Sequence, residues 1–315
     1  MRKEEREKIK DFFNQTDENG ISNLEKARNA RIIRRVDTTD KSKSFETSDY
    51  SQSESAFPGV VEEEGKMIGF GIHIYNEDVY PLQSFEIYLR NCGLTGTLDL
   101  SESEDLVFVD LYHNAVGKVL LGNMPEMKIL GLQDNEISEI DAEGLPGCLG
   151  IDIGKNRLKE IDVSGNTELV ELYINDNEID RIDLSRNPKL KYFYCHNNRI
   201  EKLDTTANPL LRHLNATENP LKEIKTFAPQ REEKIPLELY TGEGGYVGLK
   251  FNPVYNAQWK ETGEWEQCYY AYPKEGYSFK GWYEDGRKVS EEAVWYDEYG
   301  TGKILKAAFA NEVQK

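Results

Sequence analysis

The chain has 315 residues and a formal net charge of −18 at pH 7. A surface with this excess of carboxylates repels phosphate backbones and anionic lipid, which argues against nucleic acid as a partner. No apolar run approaches the roughly 20 residues of a membrane-spanning helix, so we expect no membrane insertion.

The N-terminal segment, residues 1–36, is predicted to be helical, with amphipathic helices over Arg2–Asn14 and Ser22–Val36. It lacks the apolar stretch of a signal peptide, so the protein is either cytosolic as written or starts after a removed signal. The intervening NQTDENGISNLEK has the glycine of a calcium loop, but Gln15 and Lys26 occupy ligand positions. Helix capping is the better interpretation of this segment.

A polar linker and a hairpin are predicted before the central region. Residues 37–58 contain many Ser and Thr, as is typical of a linker. Residues 59–83 favour a capping hairpin, in which Val60–Val61 and Met67–Ile74 are joined by a Glu-Gly turn. Such a cap is needed because a terminal coil of a repeat array would otherwise expose its core.

The central region, residues 84–229, contains an internal repeat of 21 residues that is marked by an asparagine in register. Alternating apolar residues precede each asparagine, which predicts a short strand with one buried face. The rest of each repeat lacks helical periodicity, which predicts an extended or 3₁₀-type return. The register positions are Cys92, Asn114, Asn135, Asn156, Asn177, Asn198 and Asn219.

The register side chains are predicted to form a structural ladder inside the coils. Where the chain turns, backbone groups lose their partners, and an unpaired buried group costs about 1–3 kcal/mol. An asparagine side chain offers donors and an acceptor, so it can bond its own turn and that of the adjacent coil. A second column of acidic residues is predicted to accept turn N–H groups. Its members are Asp141, Asp162, Asp183 and Asp204.

The repeat resembles the leucine-rich repeat family, whose consensus is L-x-x-L-x-L-x-x-N/C-x-L. The first repeat, IYLRNCGLTGTLDLS, fits through the cysteine alternative at Cys92. The short, helix-free repeat is most similar to those of bacterial surface proteins of internalin-like arrangement. This resemblance implies a leucine-rich repeat solenoid of seven repeats with a parallel β-sheet on one face and few helices. A helical and hairpin cap would precede it, and a small β-rich domain would follow.

Residues 230–315 are predicted to fold as that separate β-rich domain, because the period ends and aromatic residues become frequent. Within it, YPKEGYSFKGWYEDGRKVS, residues 272–290, resembles the Listeria–Bacteroides repeat, a small β module. The segment TGEGGYVGLKF lacks the GK[ST] of a phosphate loop and is interpreted as a hairpin turn. The aromatic side chains could stack on sugars, although a domain of this size needs such rings for its core.

Catalytic and metal chemistry find little support in the sequence. The four cysteines have no CxxC pair, and the chain has only four histidines. Cys195 and His196 are adjacent and therefore point to opposite faces of a strand, which argues against a catalytic pair. We therefore predict a protein that is not an enzyme, with no catalytic residue, no metal and no cofactor.

The outward positions of the strands supply the predicted binding site. Residues four and two before each register position point outward if those five and three before point inward. Tyr173 and Tyr194 should then stand side by side, and Asn175 should face solvent. Tyrosine gives large contact area with few rotatable bonds, although tyrosines also serve cross-strand packing alone. The predicted concave-face site is Tyr112, Asp152, Tyr173, Asn175, Tyr194 and His196.

These features predict a non-enzymatic binding protein that acts as a monomer on a protein ligand. By resemblance it would be exported to the bacterial surface and act in adhesion or host interaction. One alternative is a carbohydrate-binding module of a polysaccharide-acting system, with the tyrosines and tryptophans as sugar platforms. The other is a cytosolic scaffold or inhibitor.

Overall fold

The repeats form a leucine-rich repeat solenoid of about six turns at a 21-residue spacing, with few helices. The chain divides into two compact units, Met1–Leu158 and Lys159–Lys315. The predicted linker lies almost wholly outside the described residues, as does the start of the first predicted repeat. The computed structural model describes residues 3–29, 33–35, 46–47, 60–63, 66–70, 86–87, 89, 91–228, 236–255, 261–296 and 303–312.

The first unit contains both described helices and ten short strands. The helices are α1 (Lys3–Asn14) and α2 (Asn23–Asn29), and neither is long and apolar enough to span a membrane. The strands are β1 (Ile33–Arg35), β2 (Glu46–Thr47), β3 (Val60–Glu63), β4 (Lys66–Phe70), β5 (Glu86–Ile87), β6 (Thr95–Asp99), β7 (Phe108–Asp110), β8 (Ala115–Leu120), β9 (Ile129–Gly131) and β10 (Gly150–Asp152).

Repeat strands of the first unit pair in parallel at the repeat spacing. Phe108 of β7 is opposite Ile129 of β9, and Ile129 is opposite Gly150 of β10. The β3–β4 hairpin adds to this sheet, because β4 pairs in parallel with β7. The hairpin thus lies where the sequence predicts a cap, while residues 71–83 lie outside the described part.

The N-terminal helices cover the edge of β6 with side-chain amides. The Gln15 amide donates to Thr97 O and accepts from Thr97 N, both at 2.6 Å. Asn23 does the same for the backbone of Thr95 at 2.8 and 2.9 Å. A Cβ at Gly96 would collide with Gln15. These amides satisfy strand groups that would otherwise lack partners.

The second predicted helix is shorter in the structure than in the sequence interpretation. Helix α2 ends at Asn29, and Ile33–Arg35 form a strand that pairs with β2 and β5, so the prediction of helix up to Val36 is wrong. The β-branched residues near the end of the predicted helix favour a strand once neighbouring strands are available for pairing. In the turn before α2, Asp17 pairs with Lys26 at 3.1 Å, which occupies a carboxylate that calcium would need.

The second unit contains twelve strands and no helix among its described residues. They are β11 (Glu171–Tyr173), β12 (Tyr192–Tyr194), β13 (Lys202–Asp204), β14 (His213–Asn215), β15 (Glu223–Phe227), β16 (Pro236–Thr241), β17 (Gly245–Tyr255), β18 (Glu261–Pro273), β19 (Tyr277–Glu284), β20 (Arg287–Ser290), β21 (Val294–Tyr296) and β22 (Ile304–Asn311).

The C-terminal strands continue two sheets that begin in the repeats. In the sheet of the strands that precede the register asparagines, the order is β11, β12, β14, β17, β18 and β21. The second sheet, which contains the return segments of the coils and which we call the return-side sheet, has the order β13, β15, β16, β22, β19 and β20. The junctions are β14 with β17, where Leu214 is opposite Phe251, and β15 with β16, where Ile224 is opposite Leu239. The predicted boundary at residue 230 therefore falls inside two continuous hydrogen-bonded sheets.

The register asparagines tie each coil to the coil before it. Asn198 Nδ2 donates to Ile174 O at 2.8 Å, and its Oδ1 accepts from Ile179 N at 2.9 Å. Asn135, Asn156 and Asn219 make equivalent bonds. Asn114 bonds the turn at Cys92, which is buried, and Asn177 donates to Ile174 O. Each asparagine thereby supplies partners to backbone groups at a turn.

Each register position follows a residue in the left-handed region. The φ angles lie between 51° and 60°, a range that favours glycine, asparagine and aspartate. This bend ends each strand and directs the next side chain into the core. The left-handed residues are Asn91, His113, Asp134, Lys155, Asp176, Asn197 and Glu218.

A second asparagine ladder runs through the return side of the second unit. Asn187 donates to Val163 O and Asn166 O, and Asn208 donates to Leu184 O and Asn187 O, at 2.8–3.0 Å. Asn166, Asn187 and Asn208 are essentially buried. The predicted aspartate column is confirmed beside it, since Asp141, Asp162, Asp183 and Asp204 each accept the N–H two residues on.

Candidate functional site

The outward side chains of β11, β12 and β14, and of the residues two positions after each of these strands, form three rows on one face of the second unit. The strands pair in parallel and in register, so residues at the same place in successive repeats are neighbours. The first row lies six positions before the register asparagine, the second four and the third two. The rows are Glu171, Tyr192 and His213; Tyr173, Tyr194 and Asn215; and Asn175, His196 and Thr217.

Four of the predicted site residues meet in these rows, and we call them the repeat patch: Tyr173, Asn175, Tyr194 and His196. The Tyr173 and Tyr194 rings are edge-to-face with centroids 5.2 Å apart. His196 follows at 6.5 Å from Tyr194. Both tyrosines are half-buried, so they pack on each other and still present ring surface outward.

The electrostatics of the repeat patch centre on His196 and Asp176. His196 Nε2 lies 4.0 Å from Asp176 Oδ2. Burial lowers the pKa of His196, against the opposing effects of Asp176 and Glu218. Its imidazole is therefore predominantly neutral at pH 7. Asp176 also accepts from the Asn197 amide at 2.7 Å.

Asn175 is less exposed than the sequence predicts. Its side chain has only 7% exposure and donates to Asp176 at 2.6 Å. The prediction that it faces solvent is therefore wrong. The alternation of the strand is correct, but the short amide bonds the adjacent Asp176 carboxylate instead of extending into solvent.

The first row was missed by the sequence reasoning, which stopped four positions before each asparagine. Tyr192 stacks on His213 with centroids 4.3 Å apart and an interplanar angle of 21°. Burial, together with the charge of Arg212, lowers the pKa of His213 to about 4, against the opposing effect of Glu261. Glu171 is also buried, and Tyr173 donates to it at 3.4 Å. The 21-residue period could have identified this row, because Glu171, Tyr192 and His213 are in register.

The two other predicted site residues belong to the first unit. Asp152 has 6% exposure and accepts from Gly154 N at 3.2 Å, so the structure makes it part of the strand rather than an exposed contact. Tyr112 is half-buried, with its ring 5.9 Å from that of His113. The binding role of the six residues remains a prediction from the sequence, and we expect no such role for Asp152, because its buried carboxylate serves Gly154 N.

The reactive side chains lie apart from one another. Burial raises the pKa of the Cys92 thiol to about 11 and that of Cys148 to about 12, and it raises the pKa of Cys195 further. Cys195 is in the core, while the adjacent His196 is on the outward face. Within the described residues, no three His, Cys, Asp or Glu side chains cluster as metal ligands. The chemistry that this face supports is non-covalent contact through aromatic rings and polar groups.

Comparison with protein families identifies the repeat in the second unit. Residues 167–210 match the family of Leucine Rich repeats (2 copies). This segment includes the whole repeat patch. Comparison with curated proteins gives no match.

Two solved structures are similar to part of this chain. The functional domain of InlJ from Listeria monocytogenes, which includes a cysteine ladder, is 22% identical with a TM-score of 0.34. The match covers 40% of this chain and 33% of that one. An internalin, InlF, from Listeria monocytogenes str. 4b F2365 is 17% identical with a TM-score of 0.32, over 39% of this chain and 44% of that one. The chain thus spans less than half of either protein.

Proposed function

We propose that this protein is a non-enzymatic protein-binding molecule whose ligand contacts the repeat patch. The observation that carries the proposal is the Tyr173–Tyr194 pair, half-exposed on a rigid sheet. Tyrosine side chains lose little conformational entropy on binding, and their hydroxyl groups add polar contacts. Strands in fixed register hold these rings in place before the ligand arrives, which lowers the cost of association.

The experiment uses peptides as probes. A random dodecapeptide library displayed on phage is selected on the full chain, and the affinity of the best synthetic peptide is measured by biolayer interferometry. The double variant Tyr173→Ala/Tyr194→Ala should bind at least about tenfold more weakly, equivalent to about 1.4 kcal/mol. Its circular dichroism spectrum should match the wild type.

The matched control is Tyr283→Ala. Tyr283 is also a half-buried strand tyrosine, but it lies on β19 of the return-side sheet, with Lys288 6.0 Å from its ring. This variant should bind the peptide normally. Unchanged affinity in the double variant, or equal loss in the control, would contradict the proposal.

A carbohydrate ligand is the second candidate, and the exposed aromatic rings of the same unit favour it. Tyr296 on β21 is 60% exposed, and flat rings of this kind can stack on sugars. A glycan array with the full chain tests this alternative. A glycan that binds the wild type but not the double tyrosine variant would replace the protein ligand by a sugar.

We further propose that the protein acts in adhesion or host contact at a bacterial surface. The support is the resemblance of its short repeat to those of bacterial surface proteins. The likeness of residues 272–290 to the Listeria–Bacteroides repeat belongs to the same proposal, with Trp282 buried and a turn at Asp285-Gly286. An antibody against the chain should label intact cells; labelling only after permeabilisation would favour the cytosolic scaffold or inhibitor.

A further inference from the structure

The outward rows of the repeats continue in register onto the C-terminal strands of the second unit, with Cys268 as a buried member of the second row. Asn215 of the second row is opposite Lys250 of β17, Lys250 is opposite Cys268 of β18, and Cys268 is opposite Tyr296 of β21. Directly opposed residues of antiparallel strands point to the same face of a sheet. The second row therefore runs from Tyr173 to Tyr296 across six strands.

The third row continues in the same way. Gly248 on β17 is opposite Tyr270 on β18, and Tyr270 is opposite Val294 on β21. A Cβ at Gly248 would lie 3.2 Å from Thr217 Cα and 3.1 Å from the Tyr272 ring. Because residue 248 has no side chain, the Tyr272 ring can lie across β17. There its hydroxyl oxygen accepts the N–H of Glu218 at 3.3 Å.

These strands present a second group of large side chains, three tyrosines and a valine, which we call the cap patch: Tyr270, Tyr272, Val294 and Tyr296. The Tyr270 and Tyr272 rings are nearly parallel, with centroids 6.1 Å apart and an interplanar angle of 7°. Val294 and Tyr296 are 45% and 60% exposed. Large exposed apolar side chains that adjoin one another are a feature of interaction surfaces.

The face has an acidic border. Asp176 and Glu218 occupy the left-handed positions at the strand ends, and Glu171 and Glu266 lie on the first row and its continuation. Lys250 is the single lysine or arginine among the described residues of the three rows and their continuations. With a chain charge of −18, the field around this face attracts a cationic partner.

Among the tyrosine rings of the cap patch, that of Tyr296 is exposed to such a partner, while those of Tyr270 and Tyr272 are half-buried. At the end of the face, Lys274 Nζ already lies 4.8 Å from the centre of the Tyr246 ring. Within the described residues, no cation of this chain lies over Tyr270, Tyr272 or Tyr296. A guanidinium or ammonium group is attracted to the face of an aromatic ring, and more strongly when a carboxylate is close.

We propose that the repeat patch and the cap patch form one binding face, and that its occupant is an arginine- or lysine-bearing segment of a protein partner. This inference rests on the proposed function and extends it in two ways. It places half of the contact surface on strands outside the leucine-rich repeats. It also specifies the charge of the partner.

The test uses the peptide from the selection described above, together with Tyr270→Ala/Tyr296→Ala. We expect the selected peptides to be enriched in arginine and lysine, and this variant to bind at least about tenfold more weakly. Tyr283→Ala serves again as the control. Glu218→Gln and Glu266→Gln should each weaken binding about two- to fivefold, and Lys250→Gln should not weaken it.

The outcomes separate the two claims. Loss of binding in Tyr173→Ala/Tyr194→Ala but not in Tyr270→Ala/Tyr296→Ala overturns the extended face and leaves the proposed function standing. Loss in neither variant overturns both claims. Three outcomes would overturn the claim that the occupant is a basic protein segment. The selected peptides show no excess of basic residues, no peptide is enriched, or a glycan competes for the same tyrosines.

Discussion

The outward strand positions differ between the two units although the repeat is the same. In the first unit, Asp110 and Asp152 occupy the position four before the register asparagine, and both are buried acceptors of a backbone N–H two residues on. Gly131 lies between them in register, where a Cβ would be 3.4 Å from Asp110 Cγ. In the second unit, Tyr173 and Tyr194 fill this position and remain half-exposed.

This difference shows which positions the fold constrains. The inward aliphatic residues and the register asparagines keep their chemistry throughout, because each supplies packing or backbone hydrogen bonds to its coil. The outward position accepts aspartate, glycine, tyrosine or, at Asn215, asparagine, so it is the place where a solenoid can change its surface without changing its core. Aspartate there serves the strand itself, whereas we propose that the tyrosines serve recognition.

The largest expected effect comes from removing the strands that hold the outward rows of the second unit. A chain that ends at Ala228 loses both β14–β17 and β15–β16 pairing and exposes Leu214 and Ile224, which are fully buried. We expect it to unfold its last coils and to lose more stability than any single substitution below. A thermal melt followed by circular dichroism measures this. An unchanged melting temperature would restore the boundary at residue 230 that the sequence predicts.

His213 gives the second unit a pH dependence. Burial lowers its pKa from 6.5 to about 4, so the folded state excludes a proton that the unfolded chain binds. The contribution of His213 to the free energy of unfolding is fully present above pH 6.5. It decreases by up to about 3 kcal/mol as the pH falls towards 4. Urea unfolding at pH 7 and pH 4.5 should show a smaller acid loss in His213→Gln than in the wild type. Equal losses would mean that the Tyr192–His213 stack does not exclude the proton.

Breaking the register ladder should lower the free energy of unfolding more than removing outward side chains does. Asn198→Ala leaves the backbone groups of Ile174 and Ile179 without their partner, and we expect a loss of about 1–3 kcal/mol in the free energy of unfolding. The control is Asn14→Ala at the exposed end of α1, with a change within about 0.5 kcal/mol. Similar losses in the two variants would contradict the assigned ladder.

Substitutions at outward positions of each unit test the difference between the two units. Asp152→Ala should cost about 1 kcal/mol of stability, because the N–H of Gly154 loses its acceptor, and should leave peptide binding unchanged. Tyr173→Ala/Tyr194→Ala should cost about 0.5–1.5 kcal/mol, since only a surface ring pair is lost, yet abolish most of the binding. Denaturant unfolding and interferometry on both variants check this; a binding loss in Asp152→Ala would remove the distinction between the units.

Much of the repeat fold could be predicted from the sequence because each 21-residue period repeats the same packing and hydrogen-bonding pattern. Alternation located the strands, and the asparagine spacing aligned them. The second ladder was also readable, since Asn166, Asn187 and Asn208 follow the same period, but the sequence reasoning did not use it. The left-handed residues were less visible, because Lys155 and Glu218 adopt this conformation as well as asparagine and aspartate.

The joining of the repeats to the C-terminal strands could not be predicted from periodicity. Lys250 and Cys268 extend a row that begins at Tyr173, but nothing in the sequence gives the register of β14 against β17. Burial of outward side chains was equally hidden, because strand alternation does not reveal that Asn175 and Asp152 are buried. Pairing and coverage are properties of the tertiary structure, which local patterns do not contain.

The central claim is that one tyrosine-bearing sheet face of the second unit binds the ligand. Fluorine NMR of the chain labelled with 3-fluorotyrosine tests it most directly, with resonances assigned by single Tyr→Phe variants and titrated with the selected peptide. The account predicts shifts at Tyr173, Tyr194, Tyr270 and Tyr296 and none at Tyr283. Shifts confined to Tyr283 and Tyr240 on the return-side sheet would contradict it, as would a peptide that binds without moving any of the four.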